Sequence, residues 1–294
     1  MPADPAKLDG VKYTFLPKHE ILSFEEIARL GKIFVSLGIK KIRLTGGEPL
    51  MRKNMEKLVS FLARIDGIED LALTTNGYLL PHKAQALKDA GLHRLTVSLD
   101  SLDDEVFKKM NGREYSVERV LKGIKKAQEV GFSPLKINAL VRKGLNDHTL
   151  IDMTRHFRGT GNIVRFIEYM DVGNLNRWNM KQVMPADKIV AKINAVFPVE
   201  RVKPNYDGEV ALRYRYKDDG GEIGVIASVT KPFCGNCTRI RLSTDGKLHT
   251  CLFAPSARGL RDPLRAGVTD NGLKDIILNV WKNREDRYSE LRTL

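Results

Sequence analysis

The sequence predicts an α/β protein whose parallel sheet curls into a full or partial TIM-like barrel, followed by a C-terminal module of β-hairpins around a cysteine site. Three observations predict it. Four helical patterns end on Gly and run within a few residues into a short apolar stretch, at residues 38–44, 67–73, 91–97 and 131–137, with a fifth strand at 163–170. Within those stretches one parity is apolar and the other turns polar toward the C-terminal end. After about Pro185 the style changes to hairpins and turns, which divides the chain into residues 1–185 and 186–294.

The first helix opens on Ser23-Phe24-Glu25-Glu26, a capping-box pattern, and carries Ile27, Leu30, Phe34 and Leu37 on one stripe. The helix from Val117 repeats the stripe with Val120, Leu121, Ile124 and Ala127. Gly just past such a helix is the left-handed cap, because only Gly takes that conformation without a Cβ penalty. In the strands Ile42 and Leu44 alternate with Arg43 and Thr45, and Leu71 and Leu73 face away from Thr74 and Asn76. Leu95, Val97 and Leu99 alternate with Thr96, Ser98 and Asp100, and Ile137 with Lys136 and Asn138. A doubly wound sheet, covered on both faces, would read as continuous apolar runs. One face here packs on helices and the other lines a wet space, which suits a barrel lumen with its site at the strand C-termini. Beyond Pro185 a helix is expected over 186–196, a hairpin around an Asp-Gly turn between Tyr214 and Ile226, and a last helix over 273–281.

The chain has 294 residues, 49 Lys and Arg against 36 Asp and Glu for a net +13, 42% apolar residues and three cysteines. That is a chain able to bury a core, not a disordered or disulfide-stapled one. No run of about 18 apolar residues occurs, and residues 1–7 lack the apolar core of a signal peptide, so a cytoplasmic protein is expected. The positive balance suits nucleic acid, an anionic membrane surface or an acidic small substrate, and solvated surface accounts for the same charges. Basic runs such as Lys122-Gly123-Ile124-Lys125-Lys126 show no aromatic interleaving, which argues against nucleic acid.

All three cysteines fall together, Cys234-Gly235-Asn236-Cys237 and then Cys251. In a reducing compartment this spacing points to metal rather than a disulfide. A three-residue turn at Thr244-Asp245-Gly246 would pair Leu242 with Leu248 and set Cys251 opposite Arg239, with Arg239 and Arg241 on the face of Cys237. Two metals fit the thiols. Zinc would take His249 as a fourth ligand, whereas a [4Fe–4S] cluster on three thiolates would keep one iron open for substrate. Gly46-Gly47-Glu48-Pro49 follows the first strand; its open backbone and carboxylate suit an ammonium group, and a plain βα turn suits the same residues. No dinucleotide fingerprint, Walker A loop or nucleophile elbow occurs.

Taken together, Arg43-Leu44-Thr45-Gly46-Gly47-Glu48-Pro49, Leu73-Thr74-Thr75-Asn76-Gly77, Ser98-Leu99-Asp100, the segment Arg165 to Gly173 and Cys-x₂-Cys-x₁₃-Cys with Thr238-Arg239-Ile240-Arg241 resemble the GTP 3′,8-cyclase family of radical S-adenosylmethionine enzymes. The likeness runs from about residue 18 to 287. It implies that Cys234, Cys237 and Cys251 hold a substrate-binding [4Fe–4S] cluster rather than zinc. It further implies that Arg43, Thr74, Lys136, Arg239 and Arg241 bind GTP, and that Gly47, Ser98 and Met170 bind S-adenosylmethionine. The activity implied is conversion of GTP to (8S)-3′,8-cyclo-7,8-dihydroguanosine 5′-triphosphate, the first step of molybdenum cofactor biosynthesis. A cyclic pyranopterin synthase is the implied pathway neighbour, and a homodimer the assembly allowed for.

The family forms a second, radical-generating [4Fe–4S] cluster on a Cys-x₃-Cys-x₂-Cys loop after its first barrel strand, just before a segment like Met1-Pro2-Ala3, and usually ends in a Gly-Gly tail. This sequence holds no such loop, and it ends Arg292-Thr293-Leu294. No catalytic residue of that cluster is assignable. The expectation is a cyclase sequence that is incomplete and inactive alone, the alternative a GTP-binding iron–sulfur protein that does not cyclise.

Overall fold

The computed structural model describes residues 16–172, 178–254 and 256–291; Met1-Pro2-Ala3, Gly173 and Arg292-Thr293-Leu294 lie outside the described residues. Through the first half, strands and helices alternate: α1 (Phe24–Ser36), β1 (Lys41–Leu44), α2 (Met55–Ala63), β2 (Asp70–Thr75), α3 (Leu80–Asp89), β3 (Arg94–Ser98), α4 (Asp104–Asn111), α5 (Val117–Glu129), β4 (Lys136–Val141), α6 (Leu150–Phe157) and β5 (Ile163–Glu168). Then come α7 (Ala186–Asn194), β6 (Val199–Val202), β7 (Leu212–Tyr216) and β8 (Glu222–Ile226). The last part holds β9 (Arg241–Leu242), β10 (Lys247–His249), β11 (Arg258–Gly259), α8 (Arg261–Arg265), α9 (Asp270–Lys282) and α10 (Tyr288–Leu291).

The local signals act as chemistry requires. Ser23 Oγ accepts from Glu26 N while the Glu26 carboxylate accepts from Ser23 N, closing the capping box of α1. Gly38, Gly67, Gly91 and Gly131 all sit at φ between +89° and +96°. After α1, α3 and α5 the next residue closes a Schellman bond, Ile39 N to Phe34 O, Leu92 N to Leu87 O and Phe132 N to Ala127 O. Each helix is thereby turned back onto the sheet at a fixed angle.

Strands β1 to β5 pair in parallel in sequence order, and the sheet continues β5-β8-β7-β6. The parity reading holds: in β4 Ile137, Ala139 and Val141 are buried under the helices while Lys136 and Asn138 stay partly open on the other face. The main core joins these strands to α2, α3, α5, α6 and α7 through residues such as Leu58, Leu73, Leu87, Ile124, Phe132 and Phe166.

Two expectations are corrected. The hairpin of β7 and β8 is not part of a separate module: β8 pairs in parallel with β5, Phe166 against Val225, and buried Ile223 and Val225 extend the main core. The change of style near Pro185 is therefore a change from parallel to antiparallel pairing within one sheet. The other concerns the cysteines. Leu248 does pair with Leu242, and Gly246 takes φ +78°, but the ladder ends at His249 against Arg241. Thr250 and Cys251 bend away, so Cys251 and Arg239 are not ladder partners.

A second cluster joins the ends of the described chain. Leu22, Leu30 and Ile33 from the α1 region pack on Leu248, Leu260, Leu264, Leu273 and Ile277. Polar ties reinforce it: Leu22 N donates to Thr244 O at 2.8 Å, and the Arg265 guanidinium pairs with Glu26. No helix among the described residues is long and apolar enough to cross a membrane.

Candidate functional site

The open face of the sheet gathers cations. Arg43 on β1 donates through Nη1 to Thr74 Oγ1 on β2 at 3.0 Å and to Thr96 Oγ1 on β3 at 3.2 Å, so two expected ligand residues meet directly. Lys136 begins β4 opposite Thr96. Arg165 on β5, which sequence reasoning quoted only within a motif, donates through Nε to Asn138 Oδ1 at 3.0 Å. A lone Arg at open parity between buried Val164 and Phe166 was the signal for it. Arg94, also missed, is bound to Asp70 by two bonds, one of them 2.7 Å.

These charges press on one another. Burial, then Arg165 and Arg94, push Lys136 down to about 8. Burial, then Arg43 and Arg94, push Arg165 down to about 10, and burial lowers Arg43 in the same direction. Asp70 is bound to Arg94, and Glu222 to Arg213. A cation set held together against its own repulsion is arranged for an anion of several charges.

Gly224 on β8 lies opposite Arg165, and a Cβ there would come 3.0 Å from Arg165 Cγ and 3.4 Å from Ala211 Cβ. Gly224→Val is expected to cost about 1–3 kcal/mol of stability by overpacking and to push the Arg165 side chain out of place. Thermal unfolding and tripolyphosphate titration check it; unchanged stability and affinity would contradict this packing.

The strand C-termini carry the opposite charge. Gly47 follows β1 on an exposed turn, Ser98 ends β3 and half-buried Met170 follows β5, so the three expected S-adenosylmethionine residues lie at one end of the sheet. Glu48 Oε1 accepts from Leu50 N at 3.0 Å and Thr75 Oγ1 at 2.7 Å, and Oε2 from Asn76 N at 2.7 Å, which ties the turn to the end of β2. Asp100, unremarked as a site residue, is pushed up to about 6 by burial, against the lowering bond from Leu140 N at 2.8 Å. Burial, and the charges of Glu48 and Asp100, raise Tyr115, whose ring lies 4.8 Å from Tyr78 and 5.6 Å from Phe107. This end offers carboxylates and aromatic faces, suited to a cationic ligand with a flat ring.

The sheet is closed beyond β5 by Glu168, fully buried. Its Oε1 accepts from Ala186 N and Thr230 Oγ1 at 2.7 and 2.5 Å, and Oε2 from Val229 N and Thr230 N at 2.7 and 2.8 Å. It joins the exits of β5 and β8 to the start of α7, two residues before Met170. A carboxylate on the buried parity of a strand was the available signal, and it went unread.

The cysteines are free and half-buried. Cys237 Sγ accepts from Arg239 Nε at 3.4 Å and Nη2 at 3.3 Å. Burial raises this thiol, but the Arg239 bonds and the charges of Arg239 and Arg241 outweigh it and hold the thiol below its ordinary range. Arg241, lowered by burial and by Arg239, feels the charges of both Cys237 and Cys251. Glu290 on α10 accepts from Gly235 N at 2.9 Å. Among the described residues no three His, Cys, Asp or Glu side chains converge to hold a metal ion. In donor chemistry, three soft thiols with arginines turned to them fit a thiolate-held cluster.

Comparison with known proteins gives two matching family models, the Radical SAM superfamily over residues 9–157 and Molybdenum Cofactor Synthesis C over 162–290. A GTP 3′,8-cyclase of Acidothermus cellulolyticus is 48% identical over 294 residues, 99% of this chain and 81% of the relative. One from Staphylococcus haemolyticus is 45% identical over 290 residues, 98% of this chain and 85% of the relative. Among solved structures, Streptococcus suis SuiB bound to S-adenosylmethionine superposes with a TM-score of 0.63 at 14% identity, over 92% of this chain and 61% of that one. That likeness concerns the fold alone.

Proposed function

Because the chain belongs to the GTP 3′,8-cyclase family of radical S-adenosylmethionine enzymes, we propose that it binds GTP across the sheet's open face and joins ribose C3′ to guanine C8, the opening step of molybdenum cofactor biosynthesis. The observation that carries this reading is the crowd of cations at Arg43, Lys136 and Arg165, which a triphosphate would neutralise. In this reading Arg43, Thr74 and Lys136 hold the phosphates, and Arg239 and Arg241 hold the rest of the nucleotide beside Cys234, Cys237 and Cys251, the ligands of a [4Fe–4S] cluster. Gly47, Ser98 and Met170 hold S-adenosylmethionine, whose positive charge suits the end of the sheet that carries Glu48 and Asp100.

What S-adenosylmethionine supplies with a reduced [4Fe–4S] cluster is hydrogen abstraction by a 5′-deoxyadenosyl radical. The three cysteines of these 294 residues all lie in the C-terminal part, Cys234 and Cys237 before β9 and Cys251 after β10, where the reading assigns them to the substrate-binding cluster. The work of this chain is binding, orientation and exclusion of water between the two ligands. The product would pass to a cyclic pyranopterin synthase.

The cysteine count favours a second reading, a GTP-binding iron–sulfur protein without cyclisation. Protein reconstituted anaerobically with iron and sulfide is expected to hold about four irons per chain and to bind GTP, and Cys251→Ala to lose both. The intact mass of the protein purified from its source cells then separates the two: a longer chain with a cysteine-rich start supports the cyclase, and GTP binding by a chain of 294 residues supports the second reading. A single zinc without GTP affinity would refute both.

A further inference from the structure

The loop between β6 and β7, residues 203–211, touches both halves of the proposed site. Its base is anchored by Arg213, which donates through Nη1 to Lys203 O at 2.8 Å and pairs with Glu222. On one side Lys41 Nζ, two residues before Arg43 on β1, stands 3.6 Å from the centre of the Tyr206 ring. On the other side Gly208 abuts the cysteine loop: a Cβ there would lie 3.4 Å from Asn236 O and 3.6 Å from Thr238 Oγ1.

Glu209 sits between these contacts. It lies two residues before Ala211, which packs beside Gly224 and the Arg165 stem, and its charge reaches both Lys136 and Arg165. Its carboxylate is fixed by its own turn, Oε2 accepting from Asn205 N at 2.7 Å while Glu209 N donates to Tyr206 O at 3.2 Å. Among the described residues no ion pair holds it. Asp70 is bound to Arg94, so Glu209 is the acid on this side of the lumen whose charge is left to oppose an incoming anion.

We propose that residues 203–211 form a positioning loop whose Glu209 carboxylate stands in for a phosphate in the ligand-free chain, and that an entering polyphosphate displaces it and shifts the cysteine loop through Gly208. The inference rests on the reading of the lumen as a polyphosphate site. A carboxylate already in place limits the repulsion among the cations and is removed by a ligand of higher charge. Because Gly208 lies beside Asn236 and Thr238, which flank Cys237, displacement of the loop changes the surroundings of that thiol.

The test uses the whole chain, free of iron, with phosphate, pyrophosphate and tripolyphosphate as probes. Glu209→Gln keeps an oxygen for the Asn205 bond and removes the charge. It is expected to bind all three probes more tightly, least for phosphate and about fivefold for tripolyphosphate, with the gain shrinking as salt is added. Tripolyphosphate is expected to change the rate at which a thiol reagent modifies Cys237 in the wild type, and Glu209→Gln to show the changed rate without ligand. Equal affinities for the two proteins, or a gain independent of probe charge, would overturn the proposal while leaving the polyphosphate site standing, provided Lys136→Met still weakens binding. Absence of tripolyphosphate binding in the wild type would overturn both.

Discussion

Glu168→Ala is expected to cost roughly 3–5 kcal/mol of folding stability, because it leaves two buried backbone N–H groups, and the partly buried N–H and hydroxyl of Thr230, without an acceptor, each buried lost partner costing about 1–3 kcal/mol. The donors come from Ala186, Val229 and Thr230, so one side chain closes the joints between β5, β8 and α7. Glu168→Gln keeps the shape but turns an amide NH₂ toward N–H donors on one side, and is expected to lose about 1–3 kcal/mol. Denaturant unfolding of the iron-free protein measures both; a loss under about 1 kcal/mol for the alanine variant would show that the network is not a joint. Met170 leaves the sheet two residues later, so S-adenosylmethionine binding should weaken in the glutamine variant even where it remains folded.

Lys136→Met is expected to act in opposite directions on stability and binding. Lys136 titrates near 8 in the folded chain against 10.5 for a free lysine. The unfolded chain therefore binds more protons between those values, and the stability this residue contributes rises as pH goes from about 8 to 10.5. Below pH 8 the folded protein bears the full cost of the crowded charge, so at pH 7 the methionine variant should unfold at higher denaturant. The same change removes a charge facing the phosphates and is expected to weaken tripolyphosphate binding by about 2 kcal/mol, roughly thirtyfold. Wild-type affinity should fall as pH rises through about 8, and the variant should lose that dependence. A variant that is less stable, or binds as tightly as wild type, would show that Lys136 is a packing residue.

Much of the sheet was legible because its signals are local. A Gly at the end of a helix and an alternating strand describe themselves within seven residues, and Gly38, Gly91 and Gly131 take the backbone their position required. The open face was readable for the same reason, since Arg43 and Lys136 announce a polar parity. The joint at Glu168 was not, because its donors are 18, 61 and 62 positions away and no short window contains them. The place of β7 and β8 failed similarly: a hairpin shows its own turn, whereas pairing with β5 depends on partners some 59 residues upstream by register. The cysteine register was right for as long as the ladder lasted and wrong where Thr250 bends the chain.

The packing of Leu22, Leu30 and Ile33 on Leu264, Leu273 and Ile277 sets an order of events during synthesis. Strands β1 to β5 can pair as they emerge, each next to the last. The cysteine loop lies between β8 and β9 and is backed by elements whose other contacts are with α1, over two hundred residues earlier. Contacts of such separation form late. Cys234 and Cys237 in that loop, and Cys251 beyond β10, therefore reach their final surroundings only after α9 has left the ribosome and docked on α1, and an iron–sulfur cluster delivered earlier would meet a flexible peptide rather than a site.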